Sequence, residues 1–597
     1  MHWVDWSIIA VYLAIVTAIG FLFIRRASGS VAEYFVAGRN LPWWLAGTSL
    51  VATSFAADTP LFVTGLIATK GIAGNWLWWN QAIVWSLAIV FFARLWRRTG
   101  LMTDAEFIEL RYAGKPAAFL RGFRALYMSL IFSTGTVAWV MLAMQKIVDA
   151  TITQPAWTVS LQQHVESALG LAPGSVDVWK LIVLVGLFGI ATVYTVLSGF
   201  WGIVVTDLVQ FIVAMLGAVL FAWFAVDSVG GIAELKVKLL EAFGSERTSN
   251  VFAFFPERGS QWMPLSTFMV FLGVYWWGDC GQFAAQRMFS TRDERQSVLT
   301  ALWYSVVHFA IRPWPWVVVG LVAFLTFPHL ADPESGYPKL LVEVLPVGVR
   351  GLVIASLLAA FMSTVDTHLN WNASYFVTDI YRRFLKPEAS EAQCVRVSRW
   401  TVLGFAALAI IVAHFMTSIE GAVVVLFNLQ AGIGMVLMLR WFWWRINAWS
   451  EISAMIASLV INTALPLMKT HYHWEWPLAV HVAITVGFST AVWLTVTLLT
   501  QPVSTEHLRA FYTKVRPARW LWRPIARQCP DVTAGMSAGL VLGGWIGGAV
   551  ALYALTCLIG KIVLHDYGDA LWAGGALAAA TVFLVLLYRG RENPLAA

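Results

Sequence analysis

The chain has 597 residues, 59% hydrophobic and only 12% charged, where a soluble protein carries about a quarter charged. That balance excludes a chain of ordinary soluble domains. The net charge of +7 resembles a nucleic-acid signal only until the charges are placed, and the four scattered cysteines (Cys280, Cys394, Cys529, Cys557) form neither a disulfide framework nor a zinc pattern.

Apolar runs long enough to cross roughly 30 Å of hydrocarbon as helices recur along the whole chain. In chain order, fifteen spans are predicted: 7–24, 43–69, 76–96, 122–148, 179–198, 200–227, 262–284, 298–327, 348–381, 397–416, 420–444, 448–468, 476–500, 535–561 and 568–588, numbered below as spans 1 to 15. Acidic Asp5, rather than a basic stretch, precedes span 1, and no small-residue cleavage site follows it. Span 1 is therefore expected to be retained and not removed as a signal peptide. With the N-terminus outside, the inside segments hold 28 of the 40 Lys and Arg residues, as the positive-inside rule requires. The expectation is an all-α polytopic membrane protein of about 15 transmembrane helices, N-terminus outside and C-terminus inside. The lack of targeting segments suits a multi-pass protein of a bacterial inner (plasma) membrane.

Ionisable groups inside spans are costly and mark function by default. Asp58, Asp207, Asp279, Asp366, His308 and Arg312 qualify, and four acids against one certain base suggest cation handling. Span 2 is interrupted at Phe55-Ala56-Ala57-Asp58-Thr59-Pro60, where proline removes a donor and biases Thr59 away from helix. The freed carbonyls need partners, and a bare cation is one. Span 7 is interrupted at Trp277-Gly278-Asp279-Cys280-Gly281-Gln282. These two spans open consecutive five-span blocks, 43–227 and 262–444. Five is odd, so the second block enters inverted, and interrupted helices at matching positions of inverted halves point to a transporter binding site. The remaining segments are 1–42 (an extra helix and loop), 228–261 (an extracellular loop) and 445–597 (peripheral helices with a basic cytoplasmic stretch, 501–527). In span 9, Ser363, Asp366 and Thr367 share a helical face, and the Ser363 and Thr364 hydroxyls are neutral oxygen ligands suited to a hard monovalent cation.

These residues carry a resemblance. Glu33 to Arg39 after span 1, the Ala56 to Thr59 break, Thr206-Asp207-Leu208-Val209-Gln210, Gln286-Arg287 and Ala360 to Thr364 resemble the sodium:solute symporter family over about residues 5–470. The family includes bacterial proline, sialic acid and galactose transporters. The resemblance implies a LeuT-like fold of two inverted five-helix repeats and Na+ as coupling ion, one or two per cycle. It implies a first sodium site at the carbonyls of Ala56, Thr59 and Ala360 and the hydroxyls of Ser363 and Thr364. A second site would involve Asp207, Ser363, Asp366 and Thr367. Family members with that site commonly have hydroxyl residues where Asp366 and Thr367 stand, so the acid departs from the pattern. The solute would lie beside the two breaks, with Asp58, Phe62, Tyr275, Trp276, Asp279 and Gln282 as candidates, together with Thr134 or Thr136 and Arg312.

Asp58 and Asp279 suggest an amine, a guanidine or a polyol. Arg312 argues for a carboxylate or neutralises one of the acids, and a zwitterion satisfies both signs. Trp276 and Trp277 suit a sugar ring or a quaternary amine. The expected function is sodium-coupled symport of a small polar solute by alternating access, with the lipid bilayer as environment and no nucleic acid or obligatory protein partner. Proton coupling through Asp366 or Asp58 is the alternative within that class. An enzyme is not expected, for want of a nucleophile–base or metal motif. A sensor is the other rival, and the absence of a signalling module before Ala597 weighs against it.

Overall fold

A computed structural model describes residues 1–27, 30–532 and 535–589. Residues 28–29, between spans 1 and 2, and residues 533–534 and 590–597 lie outside the described residues. The described chain is helical throughout, and its one β-type pairing is an isolated bridge between Leu41 and Thr291.

Among the described residues, eleven helices are long and apolar enough to cross a membrane, and thirteen when each of two bent pairs counts as one span. The bent pairs coincide with spans 2 and 3. The other two expected spans are shorter apolar helices, Val178–Gly189 and Leu265–Val274. Span 7 falls short because its break separates Leu265–Val274 from Gln282–Ser290. Span 5 runs straight into span 6 within Val178–Ser228, where Gly199 (φ 57°, ψ −171°) turns the chain. That conformation suits a residue without a Cβ.

Burial separates core from periphery. In Val349–Leu385, span 9, 94% of the apolar window is enclosed, against 11% in Tyr567–Tyr588, span 15. Span 9 is therefore the central post, and span 15 keeps its apolar faces for lipid. Span 9 packs on Val178–Ser228, where Gly217 meets Val353 and Ser356, and on the first helix, Trp3–Ala27. Asp5 fixes that contact: one carboxylate oxygen accepts from the backbone N–H groups of Gly348 (2.7 Å) and Gly351 (3.0 Å), capping the N-terminus of span 9 where the helix dipole favours an anion.

Span 8 contains a π-turn, Val306–Ile311, directly before Pro313 and Pro315. Pro313 cannot donate to the Phe309 carbonyl. The Thr556 hydroxyl takes that carbonyl at 3.2 Å, and the Arg312 N–H reaches back to Val307 O at 3.0 Å. The extra residue in this turn brings His308 and Arg312 to the cavity described next.

Candidate functional site

Span 2 consists of Trp43–Thr53 and Asp58–Lys70, bent by 57°. Pro60 stands in the first turn of the second half, where a backbone N–H would have no intrahelical partner in any case. The last carbonyls of the first half need outside donors, and all four have them. Leu50 O accepts from the Ser54 N–H (3.2 Å) and hydroxyl (3.0 Å). Val51 O accepts from Arg312 Nη1 at 3.2 Å. Ala52 O accepts from the Phe55 N–H (3.0 Å) and Ser363 Oγ (2.8 Å), and Thr53 O accepts from Thr364 Oγ1 at 2.8 Å. Three of these donors come from the second five-span block.

Ser363 and Thr364 also lie 3.3 and 3.2 Å from Ala360 O. The structure thus gathers Ala360, Ser363 and Thr364 beside the break that contains Ala56 and Thr59, and adds the carbonyls of Ala52 and Thr53, which sequence reasoning missed. Ala56 O accepts from the Thr59 N–H at 3.2 Å. A hydroxyl that donates its proton to a carbonyl keeps its lone pairs for a cation, so this donor set fits sodium.

Two residues of the expected second site, Asp207 and Thr367, face one arginine. Thr367 Oγ1 accepts from Arg287 Nη2 at 2.7 Å and lies 2.9 Å from Thr53 Oγ1. Asp207 Oδ2 accepts from Ser49 Oγ at 2.5 Å and lies 3.5 Å from Arg287 Nη2. The buried Arg287 guanidinium therefore stands among groups expected to share a second cation. Asp366 is fully buried, and neither of its carboxylate oxygens makes a hydrogen bond.

A cavity of about 360 Å³ adjoins both breaks, within the range of small-molecule sites. Asp58, Phe62, Thr136, Trp276, Asp279, Gln282 and Arg312 line it, as do Ala56, Thr59 and Thr364. Thr134 and Tyr275 do not. The Thr134 hydroxyl turns back to Ser129 O (2.8 Å), and the Tyr275 hydroxyl donates to Asn428 Oδ1 (2.7 Å). Trp78, Trp85, Trp139, Trp277 and Trp371 join Trp276 on the walls, with His308 and His368. Trp78, Trp85, Trp139 and Trp371 carried no motif that sequence reasoning could use.

In the span 7 break, Cys280 (φ 52°) and Gln282 (φ 62°) adopt left-handed backbone, a sparsely populated conformation for residues with a side chain. Gly434 of span 11 packs against the Trp277 carbonyl, leaving no room for a Cβ.

The balance of acids and bases also changes. Asp279 Oδ2 accepts from Arg440 Nη2 (2.6 Å) and Nε (3.0 Å) and from Trp441 Nε1 (2.8 Å). Arg440 continues to Glu451 (3.2 Å), which also pairs with Arg124 (3.3 Å), and Arg124 pairs with Asp104 (3.3 Å). The side chains of all five are at most 2% exposed. Asp279 is thus neutralised within the protein. Sequence reasoning missed this partner, although Arg440 falls inside the predicted limits of span 11.

The family model for the sodium:solute symporter family matches residues 34–158 and 164–458, which include both breaks and span 9. The chain belongs to the sodium:solute symporter family. Similar members are the sodium/glucose cotransporter of Vibrio parahaemolyticus, 25% identical over 505 residues (78% of this chain, 86% of that one), and the human sodium/myo-inositol cotransporter 2, 26% identical over 500 residues (76% and 69%). A solved structure of a Na+-coupled sialic acid symporter, in a substrate-bound outward-open state, superposes with a TM-score of 0.63 at 21% identity, covering 84% of this chain and 99% of the other. The fold is therefore the LeuT-like one. Membership makes the chain a multi-pass, sodium-coupled transporter and not an enzyme.

Proposed function

We propose that this symporter couples sodium entry to uptake of a small, neutral, polyhydroxylated solute of the sugar or inositol class. The observation that carries the coupling is the junction of span 2 with span 9: Ser363 and Thr364 hold the carbonyls of Ala52 and Thr53 at 2.8 Å, beside a cavity that both breaks line. Sodium bound by these hydroxyls with the carbonyls of Ala56, Thr59 and Ala360 would tie the two repeats together and order the cavity wall. Coupling follows as linkage, since sodium raises solute affinity and the solute raises sodium affinity by the same factor. Each charge moved down a 100 mV potential contributes about 2.3 kcal/mol.

Three features support a polyol over an amine or an acid. Asp279 is already paired with Arg440, Arg312 caps the Val51 carbonyl, and tryptophan rings offer flat apolar walls to a ring's C–H face. The named activities of the similar glucose and myo-inositol cotransporters support the same class.

Thermal unfolding of purified protein in sodium against potassium tests the coupling. Wild type should be stabilised by sodium in the manner of a ligand that binds only the folded state, about 2.7 kcal/mol at a hundredfold excess over Kd. Ser363→Ala and Thr364→Ala should lose most of that gain. An equal sodium effect in both variants would remove the first site as drawn.

A further inference from the structure

Spans 14 and 15 stand at the edge of the molecule. Between them and the core lies a second cavity, a groove of about 670 Å³. Its lining follows the helix period. On span 14, Val550, Ala554, Cys557 and Lys561 recur at i, i+4, i+7 and i+11, and on span 15 Asp569, Ala573 and Ala576 recur at i, i+4 and i+7. Lys561 closes the first stripe in the last turn of Ala538–Val563, and Asp569 opens the second in the first turn of Tyr567–Tyr588. The two charges meet at the mouth, with Lys561 Nζ 2.7 Å from Asp569 Oδ2. Away from the mouth the walls are small apolar side chains and the rings of Trp76 and Phe255.

The depth fits one leaflet. From Lys561 to Val550 is eleven residues, about 16 Å along a helix, or half of the roughly 30 Å of hydrocarbon. The groove is open sideways at Trp572, which lines it and is 83% exposed. A mouth of charges above an apolar channel of one leaflet's depth, with lateral access from the bilayer, matches the polarity profile of a phospholipid.

The charges select the headgroup. Among the described residues, Lys561, Asp569 and Glu257 are the charged side chains that line the groove. Lys561 also lies 4.7 Å from the ring centre of Phe254 and 3.5 Å from Asp566, which pairs with Lys236. One base against two acids on the lining disfavours a headgroup of net negative charge. The Asp569 side chain is 65% exposed, and an ion pair with so exposed a member holds little energy, so a headgroup can enter between the partners. Its phosphate answers the Lys561 ammonium, and a primary ammonium donates to the Asp569 carboxylate. A quaternary ammonium has no N–H to donate.

We propose that this groove is a binding site for one phosphatidylethanolamine, with an acyl chain along Ala554, Ala573 and Ala576 and the headgroup between Lys561 and Asp569. The site reaches the transport cavity through Leu272, which lines the groove and whose carbonyl accepts from Nε1 of the cavity residue Trp276 at 2.8 Å. The lipid is thus in contact with the half-helix that leads into the span 7 break.

The test is thermal unfolding of the full chain, delipidated in detergent and titrated with phosphatidylethanolamine, phosphatidylcholine and phosphatidylglycerol of identical chains. Phosphatidylethanolamine should stabilise at concentrations at least tenfold lower than either of the others. Ala573→Phe fills the groove from a half-buried position and should weaken that effect tenfold or more. Ala578→Phe, at an exposed position of the same helix outside the groove, should leave it unchanged. Asp569→Asn should bring phosphatidylethanolamine down to the level of phosphatidylcholine. A cooperative melt without lipid is the folding control, and if Ala573→Phe lacks one, Ala576→Phe, at an exposed position of the groove, takes its place. Equal stabilisation by the three lipids, equal losses in the groove-filling variant and Ala578→Phe, or a preference for phosphatidylethanolamine that survives Asp569→Asn overturns the assignment.

Discussion

Asp366 differs from its neighbours on span 9 in a way that side-chain chemistry makes testable. Ser363, Thr364 and Thr367 each have partners across the interface with span 2 or span 7. Asp366, in the same two turns, has none for either oxygen. A carboxyl group enclosed in this way is destabilising, and removing it without changing the fold should be favourable. Asp366→Thr is expected to raise thermal stability in potassium buffer by about 1–3 kcal/mol, the usual cost of an unpartnered buried polar group. A fall in stability in that buffer would mean that the carboxyl group supports the fold. Thr364→Val is expected to act in the opposite direction, because it keeps the volume but strips the Thr53 carbonyl of its donor, at a cost of about 1–3 kcal/mol.

At the scale of elements, the two breaks are held by different means. The span 2 break is capped by side chains, whereas the span 7 break is held from outside by Gly434, whose missing Cβ lets the Trp277 carbonyl approach. Gly434→Ala is expected to displace the Trp277–Gly281 backbone, with a loss of about 1–3 kcal/mol from overpacking. Solute binding should fall more than sodium stabilisation, because Trp277 lines the cavity while Ser363 and Thr364 are untouched. Equal losses of both, in paired thermal-shift titrations, would mean that the two breaks move as one. The positions of the breaks were legible in the sequence, since Pro60 and the Gly278/Gly281 pair act locally on the backbone. The Ser363-Thr364 pair was legible too, as adjacent hydroxyls on a buried helix. What Arg312 and Arg440 do was not, because their partners Val51 and Asp279 lie 261 and 161 residues away. A single sequence fixes neither distance, so Arg312 looked like a clamp for a carboxylate and Asp279 like an anchor for an amine.

For the whole molecule, the largest electrostatic commitment is the buried chain of Asp279, Arg440, Glu451, Arg124 and Asp104. It joins spans 4, 7, 11 and 12 with the 94–124 segment, and the Tyr112 hydroxyl donates to Glu451 at 2.6 Å. Removing one member leaves its partners charged and enclosed. Arg440→Leu is therefore expected to cost about 3–5 kcal/mol, measured as a lower melting temperature with a matching loss of folded protein in detergent. A melting temperature within a degree of wild type would mean that water reaches these groups. The same chain has a consequence for how the protein is made. Arg124 can meet Asp104 as soon as it emerges, 20 residues later. Asp279 must wait 161 residues for Arg440, and Arg124 waits 327 for Glu451. At roughly 5–20 residues per second, translation leaves these charges unmatched for about ten seconds to about a minute, while the helices that carry them are being handed to the membrane. Closure of this charge chain by spans 11 and 12, rather than insertion of any single helix, is then the slow step that a translation pause or a truncation before residue 451 would expose.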